Sequence, residues 1–256
     1  MTRNDRLNPY AYLLLLWGGL ALIPAALYLG GLSLFPWLEL DSIKAQLLYG
    51  LTSLGTAPYG ILTVLALLLA CYLLLPRKQL APLLFSVCLA MGLSLGLNHF
   101  LKPYFGHPRP NVQFLAENQG LSLSGFYQAS QPTRRALMAQ EVAKLSQETK
   151  LSLSPKIAQH WQDEVGYSFP SGHTLFAVTL TLVVSYFLLA AQRFLFAALL
   201  CLWALAMGFS RMLLGMHWPQ DILAATLLGG AIALLALLIT EKWRHRPRLM
   251  PNWANV

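Results

Sequence analysis

Three short stretches of the sequence combine cations, histidines and a carboxylate in a pattern suited to phosphate chemistry. They are KPYFGHPRP at residues 102–110, PSGH at residues 170–173 and SRMLLGMHWPQD at residues 210–221. Lys102, Arg109 and Arg211 supply three positive charges, and clustered cations favour a dense anion such as a phosphate group. We therefore predict that these three side chains bind the phosphoryl oxygens of a substrate.

The PSGH stretch adds backbone donors for the same anion. It stands at the threshold of an apolar, uncharged run that begins at Leu175. Gly172 allows the backbone to approach a ligand closely. The free N–H groups at a helix start also point toward a bound anion, with the helix dipole behind them. The stretch is therefore predicted to form an anion cradle where a helix begins.

The third stretch carries the residues for group transfer. His217 and Asp221 are four positions apart, and Pro219 suits the first turn of a helix. A carboxylate on one imidazole nitrogen fixes the tautomer and leaves the other nitrogen free as a nucleophile. His173 is the remaining titratable group and is predicted to serve as general acid.

No metal or cofactor is predicted. One carboxylate and two histidines could bind a metal ion, but three neighbouring cations would repel it. The sequence has no zinc-type Cys/His spacing, no phosphate-binding loop of the Walker type and no GxGxxG motif. Cys71, Cys88 and Cys201 all lie in apolar runs and are interpreted as packing residues.

The composition is that of a membrane protein. Of 256 residues, 56% are hydrophobic and only 11% are charged, against about 25% charged in soluble domains. The mean hydropathy is +0.53. The net charge of +8 is interpreted as a sign of orientation and of contact with acidic lipids, not of nucleic-acid binding.

Six apolar runs are predicted to cross the membrane, each near the roughly 20 residues that a spanning helix needs. They are Ala11–Gly31, Pro58–Pro76, Leu80–Phe100, His173–Ala191, Phe194–Leu214 and Asp221–Thr240. With six spans, the basic links and the basic residues near both ends of the chain share one side. This pattern predicts cytoplasmic termini and places all three motif stretches on the opposite face.

The whole chain is predicted to be a single all-α membrane domain, 1–256, with a helical extracytoplasmic insertion at 101–169. TRRALMAQEVAKLSQETK and PKIAQHWQDEV have apolar residues at helical spacing, and both apolar faces are interpreted as packing faces. Arg134 and Arg135 are interpreted as part of a solvated surface, with attraction to lipid headgroups as the alternative. His107 is interpreted as a solvated loop histidine. His99 is interpreted as structural, with support of the site as the alternative. His160, Trp161 and Glu164 precede PSGH and could contact a substrate or the insertion that caps the site, but the sequence does not decide the roles of His99, His160 and Glu164.

The motifs, in this order and with this spacing, resemble those of the type-2 phosphatidic acid phosphatase superfamily. The pattern KxxxxxxRP, PSGH and SRxxxxxHxxxD is matched without any departure. The matching residues are Lys102, Arg109, Pro110, Pro170, Ser171, Gly172, His173, Ser210, Arg211, His217 and Asp221. That superfamily also includes vanadium haloperoxidases and soluble acid phosphatases, but six predicted spans argue against those branches.

The resemblance implies a metal-independent enzyme of the bacterial inner membrane that acts on phosphorylated lipids from the periplasmic side. It implies that His217 forms a phosphohistidine, Asp221 orients it, and His173 protonates the leaving oxygen and later activates water. The phosphate-binding residues that it implies are Lys102, Arg109, Ser171, Gly172 and Arg211. Substrate and membrane lipids are the only expected partners, and no obligate protein partner is inferred.

Two other functions use the same motifs. A lipid phosphotransferase would pass the phosphate of undecaprenyl diphosphate to a lipid acceptor instead of water. A transporter or structural membrane protein with an inactive site belongs to a different class, and the intact motif argues against it. The preferred lipid, its entry route and the oligomeric state do not follow from the sequence.

Overall fold

The computed structural model describes residues 8–148 and 151–244, and this part of the chain is built from α-helices. In chain order the helices are α1 (Pro9–Leu29), α2 (Ile43–Ser53), α3 (Tyr59–Leu74), α4 (Leu80–Phe105), α5 (Pro110–Gln119), α6 (Leu123–Gln128), α7 (Gln131–Glu148), α8 (Pro155–Asp163), α9 (Gly172–Ala190), α10 (Phe194–Leu213) and α11 (Pro219–Arg244). Within these described ranges no β-strand forms, and the extended backbone makes one isolated bridge between Leu40 and Leu153. The prediction of an all-α fold is confirmed.

Five helical segments are long and apolar enough to cross a membrane. They are α1, α9, α10, α11 and the stretch Arg77–Gln119, which comprises a 3-10 turn, α4 and, after a break at residues 106–109, α5. The second predicted span forms α3, whose 16 residues fall short of the usual spanning length. The membrane fold is therefore confirmed, whereas the count of six spans is not.

The orientation prediction depends partly on residues outside the described ranges. Arg3, Arg6, Arg246 and Arg248 all lie there. The basic links that the structure does describe lie between consecutive helices, at the positions in the chain where they were expected. Arg77 and Lys78 form a 3-10 turn between α3 and α4, and Arg193 caps the start of α10. The cytoplasmic position of the termini stays a prediction.

Helix α9 is the centre of the bundle. Leu175 and every residue from Ala177 to Leu189 are buried, because α1, α4, α10 and α11 all pack against it. A helix that is apolar all round is typical of such an enclosed position. The uncharged run after PSGH is therefore surrounded by other helices. The start of α9 consequently lies at the centre of one end of the bundle.

The segment between α4 and α9 forms a second hydrophobic core with α2. Helices α5 to α8 contribute buried apolar side chains to it. Met138 and Leu145 on α7, and Ile157 and Trp161 on α8, are completely buried there. Both predicted amphipathic stripes are thus confirmed as packing faces. The boundaries 101–169 of the insertion remain a prediction.

Hydrogen bonds tie this second core to the turn that carries the third motif stretch. The indole N–H of Trp161 donates to the carbonyl oxygen of Leu214 at 2.9 Å. The backbone N–H of Asn111 donates to Gly215 at 2.9 Å. Gly215 has a φ of +71° and lies against the ring of Phe35, so a larger residue would be strained there. The turn between α10 and α11 is therefore held rigidly from the outside.

The contact between α1 and α11 depends on a glycine. A Cβ at Gly230 would overlap the indole ring of Trp17, whose N–H donates to the carbonyl oxygen of Thr226 at 2.9 Å. We expect Gly230→Ala to destabilise the protein by about 1–3 kcal/mol through overpacking. Thermal unfolding in detergent micelles would measure this loss.

Gly92→Ala provides the matched control, because nothing lies within 4 Å of a Cβ at Gly92 on α4. Alanine is the better helix former, so this variant should unfold at the same temperature as the native protein or above it. Equal unfolding temperatures for the two variants would mean that Trp17 does not pack closely on α11.

Candidate active site

The three motif stretches meet at one end of the bundle, and each functional side chain lies at a helix terminus or in the turn beside one. Lys102 is in the last turn of α4, and Arg109 is the residue before α5. Ser171 caps the start of α9, Arg211 is in the last turn of α10, and Asp221 is in the first turn of α11. The predicted convergence of the motifs on one face is what the structure shows.

Arg109 is buried, with 2% of its surface exposed, and its guanidinium is fixed on two sides. Nε donates to the carbonyl oxygen of Gly166 at 2.8 Å, and Nη1 donates to that of Met216 at 3.1 Å. Nη1 also lies 3.5 Å from Nε2 of His217. The cation therefore faces the ring nitrogen at which phosphoryl transfer is predicted.

Arg211 is completely buried and reaches residues that the motifs do not contain. Nη1 donates to the hydroxyl of Thr52 at 3.1 Å and lies 2.8 Å from Nε2 of His160. Burial, followed by the charge of Arg211, lowers the pKa of His160 to about 4. His160 is therefore neutral at physiological pH and can accept a hydrogen bond from the guanidinium.

Glu164 links the two arginines, although it lies outside the three motif stretches. Its Oε2 lies 2.5 Å from Nη2 of Arg211 and 3.2 Å from Nη2 of Arg109. Its Oε1 lies 3.7 Å from Nε2 of both His160 and His173. The carboxylate thus occupies the space between the two arginines, which are predicted to bind phosphate, and the rings of His160 and His173.

The ionisation of Glu164 results from opposing effects. Burial disfavours the charged form, but the neighbouring positive charges, those of Arg211 and Arg109 among them, outweigh burial and hold the pKa of the carboxyl well below its usual range. A charge balance could have pointed to this residue. Two buried arginines need a counter-ion, and Asp221 was already assigned to His217, which leaves Glu164 as the nearest carboxylate before PSGH.

His217 and Asp221 have the predicted relation. Nδ1 of His217 lies 3.4 Å from Oδ2 of Asp221, and both side chains are buried. The same Oδ2 accepts the backbone N–H of Trp218 at 2.9 Å, which fixes the carboxylate. Nε2 is therefore the ring nitrogen directed toward Arg109 and away from Asp221.

The protonation state of His217 suits a nucleophile. Burial, followed by the positive charges of Arg109, Arg211 and Lys102, holds the pKa of His217 well below its usual range. The imidazole is consequently neutral at physiological pH. The carboxylate of Asp221, 3.4 Å from Nδ1, favours the tautomer with its proton on Nδ1, which leaves the lone pair on Nε2.

His173 lies opposite, in the first turn of α9. Its Nε2 is 2.6 Å from the hydroxyl of Thr56, in the turn between α2 and α3, and 3.7 Å from Glu164. A Cβ at Gly55 would come within 2.9 Å of the imidazole, so the turn packs directly on the ring. Thr56 contributes to the site from a region where no motif lies.

The PSGH stretch forms the predicted helix start. The hydroxyl of Ser171 accepts the backbone N–H of Thr174 at 3.4 Å and donates to its hydroxyl at 3.0 Å, as an N-cap does. A Cβ at Gly172 would lie 3.1 Å from the amide of Asn98, so the backbone approaches α4 closely. The N–H groups of Gly172 and His173, at the first two positions of α9, lack intrahelical acceptors and remain available to an anion.

Lys102 is less constrained than the two arginines. Within residues 8–148 and 151–244 it makes no ion pair, but it is near enough for its charge to interact with those of Arg109, Glu164, Arg211 and Asp221. Its side chain lines a cavity between α4 and the insertion, together with His99. It can therefore reach an anion bound between the arginines.

Two expectations about peripheral residues need correction. Arg134 is half-buried and donates hydrogen bonds to backbone carbonyls of the insertion, so it is not part of a solvated surface. His107 is only partly exposed, with Nδ1 at 3.0 Å from the hydroxyl of Ser168 and 3.8 Å from Asp221. At both positions other residues of the insertion partly cover a polar side chain that was expected to face solvent.

The described residues contain no group of three or more His, Cys, Asp or Glu side chains arranged to hold a metal ion. The arginines, the histidines and the N-terminus of α9 instead form the kind of arrangement that is expected of an anion-binding site. Metal independence itself stays a prediction.

A family model of the PAP2 superfamily matches residues 83–245, which contain every motif residue. The chain belongs to the PAP2 superfamily. This confirms the resemblance based on Lys102, Arg109, the PSGH stretch, His217 and Asp221. All of these PAP2 positions face the same end of the bundle.

Similar proteins carry names of lipid phosphatases. Phosphatidylglycerophosphatase B of Escherichia coli (strain K12) is 31% identical over 227 residues, which are 87% of this chain and 86% of that protein. Phosphatidylglycerophosphatase B of Haemophilus influenzae is 34% identical over 201 residues, 76% of this chain and 81% of that protein. Undecaprenyl-diphosphatase of Sulfolobus acidocaldarius is 36% identical over 73 residues, 28% of this chain and 34% of that protein.

Proposed function

We propose that this protein is an integral-membrane lipid phosphatase that hydrolyses phosphate monoesters or diphosphates of lipids. Phosphatidylglycerophosphate, undecaprenyl diphosphate and phosphatidic acid are the proposed substrates. The main support is the placing of a neutral His217 beside Asp221 and opposite two buried arginines. The names of the similar proteins favour lipids over soluble phosphate esters.

The first step of the proposed reaction is attack on phosphorus. Nε2 of His217 forms a bond to phosphorus while the bond from phosphorus to the lipid oxygen breaks. His173 donates a proton to that oxygen, which leaves as an alcohol or, from a diphosphate, as a lipid monophosphate. Asp221 stabilises the positive charge that develops on the ring of His217.

The second step releases phosphate. His173, now neutral, removes a proton from a water molecule that attacks the phosphorus of the phosphohistidine. The N–P bond breaks, the electron pair returns to Nε2, and inorganic phosphate leaves. In both steps Arg109, Arg211 and Lys102 would stabilise the charge on the equatorial oxygens, together with Ser171 and Gly172 at the start of α9.

Glu164 requires a change before either step. Its carboxylate contacts Arg109 and Arg211, the two cations that the phosphoryl group needs. We infer that the carboxylate neutralises them in the resting enzyme and that the substrate phosphate takes its place. Two anions cannot share the same two guanidinium groups without strong repulsion.

The proposed setting is a bacterial inner membrane, with both termini cytoplasmic and the site facing the periplasm. The apolar helices fit such a membrane. The basic positions Arg77, Lys78 and Arg193 support this orientation, because they lie at the opposite helix ends from the site. A lipid could then present its headgroup to the site without leaving the bilayer.

Phosphate release by the purified protein in detergent tests the function. Phosphatidylglycerophosphate, undecaprenyl diphosphate and phosphatidic acid would be offered separately, each with EDTA present. Release that EDTA does not reduce supports a metal-independent lipid phosphatase. Absence of release, with radioactive phosphate retained on the protein, would instead indicate a phosphotransferase that needs an acceptor.

The pH dependence of kcat/KM should be bell-shaped, because His217 must be neutral and His173 protonated. Burial, and after it the positive neighbours, lower the pKa of His217, so activity should be lost only as pH falls well below 6.5. Removing the charge in Arg109→Gln raises that pKa and should move the acid limb to higher pH, whatever the overall loss of rate. Arg135→Gln, at an exposed position, should leave the limb unmoved. A profile that stays flat from pH 5 to 9 would contradict the assignment.

A further inference from the structure

A cavity of about 700 Å³ adjoins the proposed phosphate site. Helix α4 forms one wall with Asn98 and Lys102, and α7 forms the other with Gln131 and Arg134. Its volume is typical of pockets that enclose small molecules or lipid headgroups. Among the described residues that line it, two are cations and none is a carboxylate.

Arg134 is held firmly at the wall of this cavity. Nε donates to the carbonyl oxygen of Ala129 at 2.9 Å and Nη2 to that of Tyr127 at 2.9 Å, while Nη1 lies 3.5 Å from that of Val165. The rings of Tyr127 and Tyr167 stack at 4.7 Å, and the guanidinium carbon lies 5.6 and 5.7 Å from their centroids. Every one of these partners is uncharged.

The charge of Arg134 is therefore fixed in place but not neutralised. Among the described residues no acidic side chain forms an ion pair with it. Three of its five N–H groups point to backbone carbonyls, so two remain for a ligand. A rigid guanidinium with free donors is suited to a phosphate group.

The position of Arg134 relative to the phosphate site is set by shared contacts. The hydroxyl of Tyr127 accepts the backbone N–H of Arg109 at 3.0 Å, and the carbonyl of Gly166, next to Val165, accepts Arg109 Nε at 2.8 Å. Lys102 connects the cavity with the phosphate site, since it lines the cavity and its charge interacts with that of Arg109. The cavity is thus the continuation of the phosphate site toward α7.

We propose that Arg134, with Gln131 beside it, binds a second anionic group of the lipid substrate. That group is the phosphodiester of a lipid with two separate phosphates or the lipid-side phosphate of a diphosphate. The inference rests on the proposed function, because Arg109 and Arg211 are assigned to the phosphate that is removed. It makes Arg134 a specificity-determining residue that favours lipids with two phosphates over lipids with one.

The test compares kcat/KM for phosphatidylglycerophosphate, which has two phosphates, with kcat/KM for phosphatidic acid, which has one. Arg134→Gln should reduce the first by about 10- to 100-fold and leave the second within about threefold. Arg135→Gln removes the same charge one residue away, at an exposed position, and should change neither value. Equal loss for both lipids in Arg134→Gln would overturn the proposal and assign Arg134 to folding of the insertion.

A binding measurement separates this proposal from the proposed function. Methylenediphosphonate should raise the unfolding temperature of the native protein more than inorganic phosphate does, and Arg134→Gln should abolish that difference. Arg134→Lys keeps the charge and should restore part of it if the glutamine variant folds poorly. No hydrolysis of any lipid would contradict the phosphatase, whereas an unchanged difference in Arg134→Gln would contradict the second anion site alone.

Discussion

Replacing His217 by asparagine is expected to reduce phosphate release at least about 10⁴-fold, because the ring nitrogen that is proposed to form the covalent intermediate is lost. Asparagine keeps a polar side chain of smaller volume beside Asp221. The arginines remain, so the variant should still bind inorganic phosphate with an affinity close to that of the native protein. Steady-state release with phosphatidylglycerophosphate and equilibrium phosphate binding would measure the two effects separately.

Two further substitutions distinguish the roles around His217. Asp221→Asn should reduce the rate less than His217→Asn, because the nucleophile survives and only its orientation and charge stabilisation are lost. His173→Asn should allow radioactive phosphate to accumulate on the protein from a diphosphate, whose leaving group needs little protonation, because the base for hydrolysis is missing. A His217→Asn protein that retained the native rate would rule out the phosphohistidine route.

The site could be predicted from the sequence wherever chemistry fixed both residue type and spacing. His217 and Asp221 needed only a helix start between them, and Pro219 supplies one at the first position of α11. Ser171 and Gly172 were predicted to begin a helix because an uncharged run follows them. These local arguments held because each depends on neighbours within one turn.

The contributions of Glu164 and Thr56 could not be predicted in this way. They come from the end of α8 and from the turn between α2 and α3, and nothing in their local sequence fixes where those elements pack. Trp161 fixes the position of the end of α8, because its indole N–H donates to the carbonyl oxygen of Leu214 at the end of α10. Glu164 follows three residues later and is thereby directed toward Arg211.

In the fold, as in the site, some features could be predicted from the sequence and others could not. The uncharged run of α9 predicted an enclosed helix, and burial from Ala177 to Leu189 follows from its composition. The second predicted span was harder, because Pro58–Pro76 is apolar throughout but its helix covers only Tyr59–Leu74. Hydropathy alone does not determine where a helix ends. Leu75 has extended backbone, as is typical of a residue before a proline, and α3 therefore ends before Pro76.

Replacing Glu164 by glutamine should strengthen the binding of inorganic phosphate by about 10- to 100-fold. In the resting enzyme the carboxylate occupies the guanidinium groups of Arg211 and Arg109, so a phosphate binds only the minor fraction of molecules in which it has moved away. Glutamine has the same size but no charge, which leaves both arginines free for the ligand. Equilibrium binding of phosphate in detergent would measure the change.

The same substitution should lower the unfolding temperature of the ligand-free protein. Arg109 and Arg211 are buried and would lose the carboxylate that neutralises them. Saturating phosphate should reverse that loss, because the ligand then supplies the missing negative charge. Asp163→Asn is the matched control, since Asp163 is exposed, precedes Glu164 and pairs only with Gln159 in the described structure.

The sign of the change in phosphate affinity decides the role of Glu164. If the carboxylate competes with the substrate, its removal raises the affinity for phosphate. If the carboxylate instead holds the two guanidinium groups in position for the substrate, its removal lowers that affinity, because the two arginines repel each other and move apart. Weaker phosphate binding in Glu164→Gln, with native affinity in Asp163→Asn, would therefore show that Glu164 positions the arginines and does not yield its place to phosphate.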